Sequence, residues 1–284
     1  MKNFIHPPGF DVDFCRAIAA AIFDGDATKV EFFDLSASAR FVELASGGVD
    51  VLSRLTTVTL SRDVLEPNAG VGFTFTQPNF YDGMTFGGLP TFTDCADRLD
   101  VTSTACRDLL LCVTEDTTFE TRLRALFPTR FLVTQDSLTD SINALNSGEC
   151  NVVAGGVVDV SLTNIRNIGY VGEYKTGNNR FSKDPLALVT RQDDQQWSKF
   201  VFWIVSSIFY AEEQGITQSI PGEMPRVSLF GPLFFEMLQN AIAAVGNYAE
   251  IYERNAEAEV PRGGLNSLNE ALSGPQHYPL PGIV

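Results

Sequence analysis

The chain has 284 residues, of which 44% are apolar and 19% charged, so it is long enough for two domains and typical of a globular protein. No apolar run reaches the roughly 20 residues that a membrane span needs, and the net charge of −15 argues against a nucleic-acid partner, which clustered Lys and Arg would bind. The first ten residues contain no apolar segment typical of a secretory signal.

The first part of the chain alternates between helix-like and strand-like segments. Helices are predicted at 11–23, where apolar residues recur at helical spacing, and at 36–48, which starts on a serine and stops at glycine. Strands are predicted at 29–35 and 49–53. This βαβ alternation indicates a largely parallel sheet covered by helices.

The alternation starts again after residue 88. Strands are predicted at 109–113, 130–134 and 151–155, with helices at 119–127 and 138–150 between them. These segments form a second α/β unit that is long enough to be a domain. From residue 184 a further strand leads into long helices at 195–215 and 234–256, and the apolar run 200–209 is predicted to be a buried helix.

The cysteines do not indicate a metal site. Cys15 and Cys112 lie in apolar patterns and are predicted to be core residues, while Cys95 and Cys106 flank a short polar segment and are candidates for a disulfide in an oxidising compartment. The chain has no CxxC pair, and both histidines lie near its ends, which argues against structural zinc.

Motifs for catalysis are also missing. No P-loop, GxGxxG or GxSxG motif follows a predicted strand, and the acidic run "RQDDQQW" is predicted to be a solvated helix start. The sequence therefore predicts no enzyme activity and no cofactor.

The segment "SRLTTVTLSRD" at 53–63 is the strongest candidate for a binding site. It places two arginines and a row of hydroxyls directly after a predicted strand, and the carboxyl ends of strands in open α/β sheets face the crevice where ligands bind. Arginine suits a carboxylate, and threonine hydroxyls can complete its hydrogen bonds. The alternative is a helix start with Ser61 as its cap and surface arginines, and composition alone leaves both open.

Several runs resemble the polar-amino-acid-binding proteins of bacterial ABC transporters, in particular the general L-amino-acid-binding branch. They are "GFDVDFCRAIAAAIF", "KVEFFDLSASARF", "SGGVDVLSRLTTVTLSRD", "NFYDGMTF", "DPLALVTRQDDQQW", "AEEQGITQ" and "AAVGNYAEIYERN". The resemblance implies a type II periplasmic binding fold, an α/β fold in which two lobes with mostly parallel sheets close on a ligand about a hinge. Lobe 1 would comprise residues 1–87 and 185–284, and lobe 2 residues 88–184.

The resemblance also implies ligand contacts. Arg62, which ends the hydroxyl-rich segment, is expected to bind the ligand's α-carboxylate together with Thr57. Thr118, in the turn "TEDTT" of lobe 2, is expected to share that carboxylate. Arg54 resembles an additional arginine of this branch that faces a polar ligand side chain, and Tyr81 is a candidate for the cleft wall.

The chain departs from the family pattern in lobe 1 and in the lobe 2 turn. Relatives have a strand and a loop before "GFDVDF", where this chain has only "MKNFIHPP". We therefore expect either that residues 2–6 fill part of the gap in the lobe 1 sheet or that this lobe is weakened. In the lobe 2 turn the family glycine is replaced by Asp116, whose negative charge disfavours a nearby carboxylate.

The third departure concerns the family aspartate that binds the ligand's ammonium group. Without a gap, its position in "CNVVAGGVVDVSL" is occupied by Gly156; with a three-residue insertion it falls on Asp159. We favour the ungapped alignment because "NVVAG" already has the length of the strand, and a helix starting near Gly156 would carry Asp159 one turn away. This alignment predicts a reduced preference for an amino acid over the matching deaminated acid.

The leading hypothesis is a solute-binding protein that captures a polar amino acid or a related small carboxylate for an ABC transporter. Its partners would be the small-molecule ligand and the transporter's membrane subunits, and we expect a monomer in the periplasm or outside the cell. The alternative is a degenerate homologue that has lost ligand binding and serves as an interaction scaffold or is a truncated product. An enzyme on the same fold is a third possibility, which would need a cleft Glu or Asp with a raised pKa beside a proton acceptor.

Overall fold

The computed structural model describes residues 8–267. The α-helices in this range are α1 (Phe10–Ile22), α2 (Arg40–Ser46), α3 (Leu60–Val64), α4 (Pro90–Asp97), α5 (Thr118–Leu126), α6 (Leu138–Ser147), α7 (Leu162–Ile168), α8 (Gln195–Glu213), α9 (Met237–Val245) and α10 (Tyr248–Asn255). The strands are β1 (Phe73–Phe75), β2 (Phe80–Asp82), β3 (Met84–Gly88), β4 (Leu111–Thr114), β5 (Leu132–Gln135), β6 (Val152–Gly156), β7 (Lys175–Thr176), β8 (Asp184–Leu186) and β9 (Val189–Arg191). Among these helices, none is long and apolar enough to cross a membrane.

The chain divides into two compact units. Of the described residues, the first contains residues 8–34, Glu43–Phe80 and residues 186–267, and the second contains Leu35–Val42 and Tyr81–Pro185. The sequence predicted that the first part of lobe 1 ends at residue 87, whereas the chain, apart from the short segment Leu35–Val42, enters the second unit between Phe80 and Tyr81. The reason is that β3, which follows this point, is buried along its whole length in the sheet of the second unit.

A five-stranded mixed sheet forms the centre of the second unit. Its strand order is β5-β4-β6-β3-β7, with β4 parallel to β5 and β6, and β3 antiparallel to β6 and β7. Phe86, Leu111 and Val152 are fully buried in its core. The predicted α/β unit is confirmed here, because α5 and α6 supply the crossovers that parallel strands require.

Helix ends in the second unit follow local capping chemistry. The Ser137 hydroxyl accepts the N–H of Asp140 at 3.1 Å at the start of α6, and Gly148, with φ of 79°, ends that helix. Ser161 caps α7 in the same way, accepting the N–H of Asn164 at 3.2 Å.

Two disulfides lie within the second unit. Cys95 is bonded to Cys106, which confirms the predicted loop closure. Cys112 is bonded to Cys150, so it is a core residue, as predicted, and a disulfide residue as well. Cys15 is a free cysteine.

Helices and aromatic rings form the core of the first unit. The Phe10 ring contacts the rings of Phe80, Tyr248 and Tyr252 edge-on, with centroids 5.7 to 6.0 Å apart. The predicted buried helix at 200–209 is confirmed as part of α8, in which Ile204 and its apolar neighbours are buried. The Phe10 contacts join α1 to α10, and α8 packs on α10 through the rings of Phe209 and Tyr248, whose centroids are 4.3 Å apart.

The long helix predicted at 234–256 is broken. Gly246 has a φ of 81°, in the left-handed region, and ends α9. The side chain of Asn247 then accepts the N–H of Glu250, whose carboxylate accepts the N–H of Asn247, so a capping box starts α10.

The sheet of the first unit is smaller than predicted. β1 and β9 pair antiparallel, and isolated bridges join Leu52 to Val189 and Thr57 to Leu186. The prediction of a strand at 29–35 is wrong, because residues 29–36 follow an irregular course, and the strand predicted at 49–53 is reduced to the bridge at Leu52. A segment with strand-like composition becomes a strand only where a neighbour supplies a hydrogen-bond ladder. Residues 2–6, expected to fill this sheet, lie outside the described residues.

Candidate ligand-binding residues

Arg62 and Thr57 are held together in the first unit. Both side chains are buried, with relative exposures of 7% and 6%, and Nη1 of Arg62 donates to the backbone carbonyl of Thr57 at 2.8 Å. The cap of α3 is Thr59, whose hydroxyl accepts the N–H of Arg62 at 3.3 Å. The alternative is therefore right that a helix starts in this segment, and wrong in taking Ser61 as its cap and Arg62 as a surface residue.

Arg54 lies in a tight turn that leads to Thr57. Its carbonyl accepts the hydroxyl of Thr56 at 2.9 Å, and the next residue, Leu55, has a φ of 40°. The N–H of Leu55 donates to Oδ2 of Asp11 at 2.9 Å. Sequence reasoning missed Asp11, although it belongs to the quoted run "GFDVDF".

Thr118 is the first residue of α5, and Thr117 is the cap of this helix. Asp116, which replaces the family glycine, has a φ of 55°, in the left-handed region that favours glycine. Its N–H donates to Oε2 of Glu120 at 2.9 Å, while its side chain is exposed. The turn therefore keeps a glycine-like conformation with an aspartate in it, and solvent screens the added charge.

Asp82 and Asp159 both approach Gly156, the last residue of β6. The N–H of Gly156 donates to Oδ2 of Asp159 at 3.2 Å. Oδ1 of Asp82 accepts the N–H groups of Gly83 at 2.7 Å and Val157 at 2.9 Å. A Cβ added at Gly156 would overlap Oδ2 of Asp82 and would lie 3.3 Å from Oδ2 of Asp159.

The helix predicted to start near Gly156 starts instead at Leu162, with Ser161 as its cap. Asp159 therefore lies in the preceding turn, and its carboxylate reaches back to Gly156 instead of being displaced along a helix axis. The physical reason is that the serine side chain caps the helix backbone, which fixes the helix start after the aspartate.

The pKa of the Asp82 carboxyl is raised. Burial raises the pKa of Asp82 to about 7, with a further rise from the negative charge of Asp159, while the N–H groups of Gly83 and Val157 lower it. Burial also raises the pKa of neighbouring Tyr81. Sequence reasoning selected Tyr81 from "NFYDG" and missed Asp82, one position further on.

The described residues do not have the arrangements of side chains that hold metal ions. Between residues 8 and 267, no group of three or more His, Cys, Asp or Glu side chains is arranged to hold a metal ion.

Comparison with known proteins extends these observations. No family model matches the chain. It is 36% identical over 290 residues to the general L-amino acid-binding periplasmic protein AapJ of Rhizobium johnstonii, covering 92% of this chain and 80% of that protein. It is 31% identical over 287 residues to the glutamate/glutamine/aspartate/asparagine-binding protein BztA of Rhodobacter capsulatus, covering 92% and 79%.

The chain is also similar to a solved structure. The ABC transporter periplasmic binding protein from Brucella ovis with glutathione bound superposes with a TM-score of 0.73 at 31% identity, covering 94% of this chain and 88% of that one. The two-unit α/β architecture is that of the type II periplasmic binding proteins. With similarity over nearly its whole length, the chain belongs to the family of amino-acid-binding proteins of ABC transporters.

Proposed function

We propose that this protein binds a polar amino acid, or a related small carboxylate, and presents it to the membrane subunits of an ABC transporter. The observation that carries the proposal is the buried pairing of Arg62 with Thr57 at 2.8 Å. The two disulfides support action in an oxidising compartment such as the periplasm. We expect the protein to act as a monomer.

In this proposal Arg62 binds the ligand's α-carboxylate. A guanidinium group offers a planar fork of N–H donors that matches a carboxylate, and a charge-assisted pair is stronger in a buried place than in water. The bond to the Thr57 carbonyl fixes the direction of the guanidinium before a ligand arrives. The Thr57 hydroxyl is then a second donor to the same carboxylate, and Arg54 would face a polar ligand side chain.

From the second unit we propose Thr118 as a contact of the carboxylate, because it lies in the first turn of α5. Backbone N–H groups and the positive end of the helix dipole favour an anion there. Tyr81 is proposed as an aromatic wall of the site.

We propose Asp159 as the partner of the ligand's ammonium group. Its carboxylate lies beside Gly156, at the position where the ungapped alignment places the family's aspartate. This contact supports the alignment with a three-residue insertion over the ungapped one. The negative charge that a glycine cannot supply would then come from the following turn.

Relatives bind different molecules that share one chemical group. AapJ is named for general L-amino acids, BztA for glutamate, glutamine, aspartate and asparagine, and the Brucella ovis protein holds glutathione. Amino acids and glutathione all carry a free carboxylate and ammonium on one carbon. We therefore propose that this group is what the protein recognises.

A thermal-shift screen against the twenty amino acids, their deaminated acids and glutathione, followed by calorimetry on the hits, tests the proposal. A ligand at 100 times its dissociation constant should add about 2.7 kcal/mol of stability. Arg62→Ala should abolish binding but remain folded, and Arg226→Ala, a change of an arginine whose side chain is 60% exposed, is the matched control.

Two outcomes would contradict the proposal. Binding by Arg62→Ala at wild-type affinity would refute the carboxylate site. A wild-type protein that binds none of these molecules would favour the degenerate-homologue alternative.

A further inference from the structure

We propose that Asp11 is a positioning residue, which holds the segment 54–57 in the conformation that binds the ligand by fixing the backbone of Leu55. The inference rests on the proposed carboxylate site at Arg62 and Thr57. It assigns a role in binding to a side chain in α1 that is 44 positions away from Leu55 in the chain.

Two hydrogen bonds join α1 to this segment. Oδ2 of Asp11 accepts the N–H of Leu55 at 2.9 Å, and the backbone carbonyl of Asp11 accepts the hydroxyl of Ser53 at 3.1 Å. The side chain and the main chain of one residue therefore hold both sides of Arg54. A carboxylate acceptor makes the bond to Leu55 stronger than one between neutral groups.

Leu55 needs such a restraint. Its φ of 40° lies in the left-handed region, where a Cβ clashes with the neighbouring carbonyl and leucine is rarely found. Its side chain is 41% exposed, so only part of it packs against the protein. The hydrogen bond that the N–H of Leu55 donates to Asp11 acts directly on this strained backbone.

The strained turn is linked to the proposed site by consecutive contacts. The Thr56 hydroxyl donates to the Arg54 carbonyl at 2.9 Å, and the Thr56 carbonyl accepts the N–H of Ala187 at 3.0 Å. Thr57 follows, and its carbonyl holds the guanidinium of Arg62. If Leu55 relaxed to a negative φ, the chain direction at Thr57 would change, and Arg62 would lose its fixed orientation.

The electrostatics of Asp11 agree with a role beyond packing. Burial raises the pKa of Asp11, while the N–H of Leu55 and the nearby Arg54 lower it. A buried carboxyl whose pKa is shifted and which accepts hydrogen bonds from specific donors is characteristic of functional positions.

Affinity and hydrogen exchange in a set of Asp11 variants test the inference, with the best amino acid from the screen as the ligand. Asp11→Ala removes the acceptor, and Asp11→Ser keeps a polar side chain that suits the first turn of α1 but is too short to reach Leu55. Both should bind about tenfold more weakly than the wild type, as expected for the loss of a hydrogen bond to a charged group. Asp11→Asn retains an acceptor oxygen and should stay within about threefold. Asp193→Ala, at a residue with a 73% exposed side chain, is the control.

Hydrogen exchange in the free protein gives a readout that does not need a ligand. The amide of Leu55 should exchange at least tenfold faster in Asp11→Ala and Asp11→Ser, while amides in α8 should keep their wild-type rates, which separates a local effect from global destabilisation. Wild-type affinity in both variants, or unchanged exchange at Leu55, would overturn the inference. Failure of the proposed function appears differently, as absent binding by the wild type or normal binding by Arg62→Ala.

Discussion

Oδ1 of Asp82 accepts the backbone N–H of Val157 at 2.9 Å, although the two residues are 75 positions apart in the chain. This bond ties the end of β2 to the turn that carries Asp159. It also places Oδ2 of Asp82 where a side chain at Gly156 would have to be. The glycine at the end of β6 therefore leaves the space that the Asp82 carboxylate at the end of β2 occupies.

Gly156→Ala should destabilise the protein by about 1–3 kcal/mol, the usual cost of overpacking. The added methyl would displace the Asp82 carboxylate, which would then lose its bonds to Gly83 or Val157. Urea unfolding measures the effect, and Gly222→Ala, where an added Cβ meets nothing within 4 Å, is the control.

A double-mutant cycle identifies the cause. In an Asp82→Ala background the cost of Gly156→Ala should fall by about 1 kcal/mol or more, because the obstructing carboxylate is gone. Equal costs in both backgrounds would mean that some other contact at Gly156 is responsible.

Asp82 should make the stability of the protein depend on pH. The native state keeps the Asp82 proton until about pH 7, whereas an unfolded aspartate loses it near its ordinary pKa of 3.8. Unfolding between these values therefore releases a proton, so the free energy of unfolding falls as pH rises through this window. The free energy of unfolding should fall by at most about 4 kcal/mol, because each unit of difference between the native and unfolded pKa contributes about 1.36 kcal/mol.

Asp82→Asn tests this dependence, because the amide keeps an acceptor oxygen but cannot ionise. The variant should become more stable relative to the wild type from pH 4 to pH 7, with little further change above that range. Urea unfolding at four pH values measures the difference. A stability difference that does not change with pH would show that Asp82 titrates at its ordinary value.

Both disulfides should stabilise the second unit, and the one that closes the longer loop should do so more. The separations are 11 residues for Cys95–Cys106 and 38 for Cys112–Cys150, for which loop-closure entropy gives about 3 and about 4 kcal/mol. Unfolding of the two double-alanine variants measures each contribution. Cys15→Ala is the control, because this cysteine is free. Equal stability of the wild type with and without reductant would contradict both contributions.

Elements defined by nearby residues could be predicted from the sequence. β4, β5 and β6 follow apolar runs, and α5 and α6 follow apolar spacing with hydroxyl caps, so their boundaries differ from the predictions by only a few residues. The break in the C-terminal helix has an equally local signal, since glycine followed by Asn247 and Glu250 is a stop and a capping box that the apolar periodicity concealed. The strand predicted at 29–35 is different, because strand formation depends on a partner elsewhere in the chain.

The same limit applies to the candidate site. Arg62 and Thr57 are five residues apart, and family resemblance proposed both as ligand contacts. The contacts of Asp11 with Leu55 and of Asp82 with Val157 span 44 and 75 positions. Neither contact follows from residue type or spacing. An aspartate in the first turn of a helix or at the end of a strand is usually a surface residue, and only the fold shows which distant residue it contacts.

The final prediction concerns the ligand's ammonium group. If Asp159 binds it, an amino acid should bind about ten- to a hundredfold more tightly than its deaminated acid, since a charge-assisted hydrogen bond contributes about 1.5–3 kcal/mol. For L-glutamate the matching acid is glutarate, and calorimetry on such a pair measures the ratio directly. Asp159→Asn should reduce the ratio to within about threefold by weakening the amino acid alone, because the deaminated acid has no ammonium to lose. Asp108→Asn, in the same unit and with a 76% exposed side chain, should leave the ratio unchanged. A ratio near one in the wild type would instead support the ungapped alignment, in which Gly156 leaves the ammonium without a counter-charge. A large ratio that survives Asp159→Asn but disappears in Asp82→Asn would move the ammonium contact to the other carboxylate beside Gly156.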